Sequence, residues 1–161
     1  MRVRHDQGND LKAIEDIFDA CVSRFPGYTS LYSNMLRSLM PRWYGKPGQV
    51  AEFIERTANA LPIDQRDAMY ARLFWIYADM EGGSMNIFQD AGADWVWMSH
   101  GFFDLREKHP ESDFVLNASA RFACLAEDQE NYRALRKQMW GRRSAAAWTK
   151  ETTRAGCDLR L

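Results

Sequence analysis

The residues best suited to proton transfer near neutral pH in this 161-residue chain are His5, His100 and His109. His100 and Asp104 stand four apart within one helical pattern, with Glu107 three residues further on, so the three can share a helix face. A histidine and carboxylates held that close could do general acid–base work. The sequence places no nucleophile beside them, and such pairs are common on ordinary charged helix faces. His109 precedes Pro110 and reads as a cation at a helix C-terminus, where the dipole favours it. The phosphate loop, the dinucleotide fingerprint, HExxH and GxSxG are all absent, which argues against nucleotide-driven and zinc-hydrolase chemistry. The expectation is therefore a chain without catalysis, cofactor or metal. An enzyme built on His100, Asp104 and Glu107 is one alternative.

Binding chemistry has stronger candidates. Aromatic residues make up 13% of the chain and include six Trp, so large contact areas are implied in a core or on a binding surface. Arg42-Trp43-Tyr44 joins a cation to two amphipathic rings, a combination enriched at binding hot spots. The competing reading is a Trp that pins its loop to a neighbouring helix. Trp95 and Trp97 are two apart on a helix and so face different sides, one toward a core and the other toward a groove. Trp75 and Arg72 are further contact candidates by residue type. Together Arg42, Trp43, Tyr44, Arg72, Trp75 and Trp97 form the expected partner-binding set, with a protein or peptide as the partner.

Net charge is −1, but residues 133–154 hold Arg133, Arg136, Lys137, Arg142, Arg143, Lys150 and Arg154 against Glu151 alone. That basic segment could contact nucleic acid through phosphates, with Trp140 and Trp148 as stacking platforms. It could equally dock on the acidic remainder or form a solvated face.

Cys21, Cys124 and Cys157 are odd in number, widely spaced and without metal-ligand spacing, which speaks against structural zinc and against a disulfide-built secreted domain. Cys124, inside the apolar run 121–126, reads as a buried, inert thiol. Met1 to Gln7 has no apolar segment of the signal-peptide kind, and no 18-residue apolar run occurs, so a cytoplasmic chain without a membrane span is expected.

The elements that must position these groups are helices. Apolar residues recur at three- and four-residue spacing from about Asn9 or Asp10 to Phe25, from Thr29 to Met40, and from Gln49 to Leu61. The pattern resumes from Asp64 to Glu81, Ala93 to Lys108, Ser112 to Ala126 and Gln129 to Met139. Pro26, Pro62 and Pro110 interrupt it, because proline lacks the N–H and its ring clashes with the preceding turn. Two Pro and two Gly within Pro41–Gly48 make that stretch a loop. Residues 85–92 read as a short helix or an extended linker, and a last helix could run from Ser144 to about Arg154. Residues 1–8 and 155–161 are expected to fray.

The prolines stand 36 and 48 residues apart, and the second interval exceeds the first by about the length of the segment from Gly82 to Ala93. A two-helix period near 34–36 residues is that of tetratricopeptide repeats. An irregular all-α bundle would fit the same helices. Ala120 to Leu135 resembles a tetratricopeptide helix pair. The loop Met40-Pro-Arg-Trp-Tyr-Gly-Lys-Pro-Gly48, followed by Val50-Ala-Glu-Phe53, is similar to the Pro-Arg-Trp-Gly-Gly loop of an uncharacterised bacterial family with helical-repeat character. Trp95, Met98, Gly101 and Phe102 fit the same family, although Tyr44 and Lys46-Pro47 depart from its plainer loop. The resemblance implies a fold and no activity. The expectation is one all-α domain over 1–161, with about seven helices paired antiparallel in a short tetratricopeptide-like solenoid. It would serve as a binding module, of toxin-neutralising or secretion-accessory type by fold analogy. An uncovered apolar end face could also drive homodimerisation.

Overall fold

The computed structural model of the chain describes residues 7–161, with side chains from residue 11 onward. The described residues are all-helical and contain no strand. The helices are α1 (Gln7–Val22), α2 (Thr29–Leu39), α3 (Gln49–Asn59), α4 (Ile63–Met80), α5 (Ile87–Asp90), α6 (Trp95–Lys108), α7 (Asp113–Leu125), α8 (Gln129–Gln138) and α9 (Arg154–Arg160), with a 3-10 turn at Ala145–Ala147. Two compact units make up the chain, residues 1–56 and residues 57–161.

In the first unit α1 packs on α2. Phe18 makes edge contacts with the rings of Tyr32 and Phe53, at 5.5 and 5.4 Å between centroids. The Tyr32 hydroxyl donates to the carbonyl of Pro26 at 2.8 Å, fixing the α1–α2 turn. After α2 the chain makes the loop that presents Trp43 and Tyr44. Met40 is buried beneath it, and its carbonyl accepts from the N–H groups of Trp43 and Gly45.

In the second unit α4 packs against α6, α6 against α7, and α7 against α8. Five residues set α4 against α6. The rings of Tyr70 and Trp97 stack at 3.8 Å, and the Trp97 indole N–H donates to Asp67 at 2.7 Å. Arg66 also donates to Asp67, and its guanidinium lies 5.4 Å from the Trp97 ring. The Tyr70 hydroxyl accepts from the backbone N–H of Asp94, the residue whose carboxylate caps α6. The central α7 is buried at every position from Leu116 to Cys124, including Asn117, Ser119 and Arg121. Arg121 is only 3% exposed, and it donates to Asp79 at 2.8 Å. Burial pushes the Arg121 guanidinium pKa downward, and the charge and hydrogen bond of Asp79 oppose that. Ser112 and Asp128 cap α7 and α8 by accepting from Val115 and Asn131.

Several expectations are corrected. Cys124 is not a thiol: it forms a disulfide with Cys157, while Cys21 is free and half-buried. The tail is not frayed, because residues 154–160 form α9, capped by the Thr153 side chain on the Gly156 N–H and tied to α7 through Cys157. A last helix beginning at Ser144 shortens to the 3-10 turn, and extended backbone follows at Trp148. Its alanines give helix propensity, yet three residues cannot sustain a helix that the next segment does not continue. About seven helices become nine among the described residues, the additions being α5 and α9. Of the first eight residues, 1–6 lie outside the described residues, as does His5, and α1 already runs from Gln7.

Candidate binding surface

The basic segment begins within α8 and continues past its end. Met139 is buried at the end of that helix, and Gly141 takes a positive φ of 74°, which L side chains rarely adopt, to reverse the chain. Arg142 then turns inward. Its Nε donates to the Asp113 carboxylate at 2.7 Å and its Nη2 to the carbonyl of Pro110 at 2.8 Å. Asn117, fully buried on α7, donates to the carbonyl of Arg142 at 3.1 Å. Its Oδ1 accepts the indole N–H of Trp148, also at 3.1 Å. These bonds pin the turn from both sides. They leave Trp140 90% exposed on a fixed backbone and Arg143 in solvent.

Two cavities flank this turn. One, of about 260 Å³, is lined by Asn117, Arg143, Ser144, Ala145, Trp148 and Arg154. The other, of about 330 Å³, is lined by Arg136, Met139, Trp140, Gly141 and Arg143. Arg143 belongs to both, and no carboxylate is among the described residues that line either. The C-terminal helix contributes Arg154 to the first of them. Arg154 opens α9, and Asp158 holds Arg136 through paired bonds of 2.7 and 2.9 Å while accepting the Tyr132 hydroxyl at 2.6 Å.

Arg136, with desolvation working against it and Tyr132 assisting, holds the Asp158 carboxyl below the usual range. A carboxyl with a depressed folded-state pKa contributes stability above its unfolded value of about 3.9, and that contribution is lost as pH falls. Asp158→Asn should therefore flatten the fall in melting temperature below about pH 4. Paired acid titrations of the melting temperature check this, and curves of equal steepness would exclude it.

The other candidate groups are dispersed. Trp43 and Tyr44 are 54% and 37% exposed on the first unit, with Arg42 exposed beside them. In the second unit Arg72 is half-buried on α4. Trp75 is 8% exposed, its ring against Phe102 and Phe114, which removes it from any contact surface. Trp97 is half-buried in the α4–α6 clamp. Trp95 is half-buried too, and its indole N–H donates to Asp128 at 2.7 Å, so both tryptophans of the pair hold helices together.

His100, Asp104 and Glu107 are not gathered in one cavity. His100 and Glu107 are exposed and Asp104 is half-buried. A cleft of about 290 Å³ takes in Glu107 beside His109, Arg106 and Arg142, without His100 or Asp104.

Sequence reasoning missed Asn117 and the inward role of Arg142. A lone Asn inside an apolar helical run was the available signal, since a buried amide needs partners. No described helix is long and apolar enough to cross a membrane. No family model, curated protein or solved structure matches the chain.

Proposed function

We propose that the protein is a non-catalytic module that binds a segment of another protein, and that its principal contact surface is the turn Trp140–Arg143 with the 330 Å³ cavity beside Trp140. The observation that carries this reading is Trp140, 90% exposed on a turn that Gly141, Arg142 and Asn117 hold in place. Exposing a whole indole forgoes its burial energy, and a prefixed backbone reduces the entropy lost on binding. An aromatic anchor beside a recess lined by Arg136 and Arg143 suits a peptide carrying both acidic and apolar side chains. The exposed Arg42-Trp43-Tyr44 loop of the first unit is a second contact surface in this reading.

Nucleic acid is the second reading, and the cations weigh against it. Arg136 is bonded to Asp158, Arg142 to Asp113 and Arg133 to the Leu161 carbonyl. Exposed Lys137, Arg143 and Lys150 remain, with half-buried Arg154. Non-specific duplex binding draws its affinity from the number of phosphates neutralised, and so few cations give little.

The helices of the second unit support a short tetratricopeptide-like stack, because each long helix packs on the next in chain order and the α6–α7 and α7–α8 connections are short. The toxin-neutralising or secretion-accessory role is carried only by that analogy. The cytoplasmic setting loses its support once Cys124 and Cys157 are joined. Protein disulfides persist mainly in oxidising compartments, and we take one as the working environment.

Trp140→Ala should leave the melting temperature unchanged, since an exposed side chain contributes within about 0.5 kcal/mol. It should weaken capture of the protein partner by about tenfold or more. Affinity capture with wild type, Trp140→Ala and Trp43→Ala/Tyr44→Ala compares the two surfaces. Capture that Trp140→Ala leaves intact, or a capture that consists of nucleic acid and falls steeply with salt, would overturn this reading. Arg142→Ala is unsuitable for that comparison because it unpins the turn.

A further inference from the structure

We infer that the 260 Å³ cavity between α7, the Arg143–Trp148 segment and the start of α9 is a binding site for a carboxylate carried on a small apolar body. Two cationic residues, Arg143 and Arg154, line it with Ser144, and Ala145 and Trp148 add apolar residues to the lining. The two residues come from different elements and line one recess, with no carboxylate among its described lining residues. The carboxylate that acts on Arg154, Asp158, is already bonded to Arg136 and Tyr132. A bound carboxylate would gain charge-assisted hydrogen bonds from Arg143 and Arg154.

Asn117 does not serve as a ligand group here. Its Nδ2 donates to the carbonyls of Asp113 and Arg142, and its Oδ1 accepts from Trp148. It fixes the floor and the orientation of the indole against which an apolar body would lie. The recess has space for a ring or a short aliphatic group, and its apolar wall disfavours a fully hydrated phosphate. The inference does not depend on a protein partner, because Trp140 lines the other cavity.

The Trp148 indole N–H, hydrogen-bonded at the floor, is a local reporter for nuclear magnetic resonance. Its resonance is assigned with Trp148→Phe and followed while sodium benzoate is added to the full chain. Benzyl alcohol serves as the uncharged control, and a capped peptide with Glu beside Phe as the peptide source of the same chemistry. The expected result is a saturable shift with benzoate or the peptide, the tighter of the two naming the source, and none with the alcohol. Arg143→Ala and Arg154→Gln should each weaken it by about tenfold, as befits loss of one charge-assisted bond. Trp140→Ala should leave it unchanged, which separates this site from the protein-binding surface. No saturable shift with either acid, an equal shift with the alcohol, or unchanged affinity in both arginine variants would overturn the proposal.

Discussion

Replacing Cys124 and Cys157 together by Ala should destabilise the C-terminal unit by about 3–4 kcal/mol, the loop-closure value for the 33-residue separation the bridge spans. For a chain of this size that lowers the melting temperature by on the order of 10 °C. The bridge joins the end of α7 to α9, and the surrounding cluster of Leu116, Ala120, Ala123, Tyr132, Leu135 and Met139 closes over it. Noncovalent ties reinforce the attachment. Arg160 donates to the Cys124 carbonyl at 2.7 Å, and Gln129 and Arg133 donate to the Leu161 carbonyl. These bonds break on unfolding and do not restrain the unfolded chain, so none replaces the covalent link in the unfolded-state entropy balance. Reduction of the wild-type protein should reproduce the shift, and Cys21→Ser should not. Scanning calorimetry with and without reductant checks both, and equal melting temperatures would show that the bridge contributes nothing.

The second large effect lies at Gly101, where α6 crosses α4 without a side chain between them. A Cβ placed there would stand 2.0 Å from the carbonyl oxygen of Asp67 and 2.7 Å from the Ala71 Cβ. The obstacle is backbone, so it cannot swing aside, and the helices must separate. Gly101→Ala gains up to about 1 kcal/mol in helix propensity. Overpacking costs roughly 1–3 kcal/mol and occasionally more, so the net effect is a loss, and Gly101→Val, which lacks that compensation, should be worse. The displacement falls on the residue that also anchors Trp97, so near-ultraviolet circular dichroism should change along with stability. A Gly101→Ala protein as stable as wild type, with its aromatic spectrum intact, would contradict the close crossing.

Most helices were legible because their apolar residues recur at helical spacing and proline breaks separate several of them. The last helix was not. Of its residues only Cys157 is buried, so α9 has no amphipathic pattern to read. Its anchor is a cysteine whose partner lies 33 residues away in an apolar run, where a half-cystine and a buried thiol look alike. The tryptophans failed for a related reason. Trp97 and Trp95 find Asp67 and Asp128, 30 and 33 residues distant, and residue type alone does not say which indole will have such a partner. The basic segment was visible as charge. What could not be read was the division of labour within it, with Arg142 holding the turn and Arg143 facing solvent.

The central claim is that the Trp140–Arg143 surface recognises a peptide with acidic and aromatic or aliphatic side chains. The direct measurement is selection of binders from a random peptide library displayed on phage, using the immobilised 161-residue chain with its disulfide intact. Sequences with Asp or Glu beside an aromatic or aliphatic residue should be enriched, and Trp140→Ala/Arg143→Ala, folded as judged by its melting temperature, should lose them. No enrichment of such sequences, or an enrichment that the double variant retains, would contradict the account.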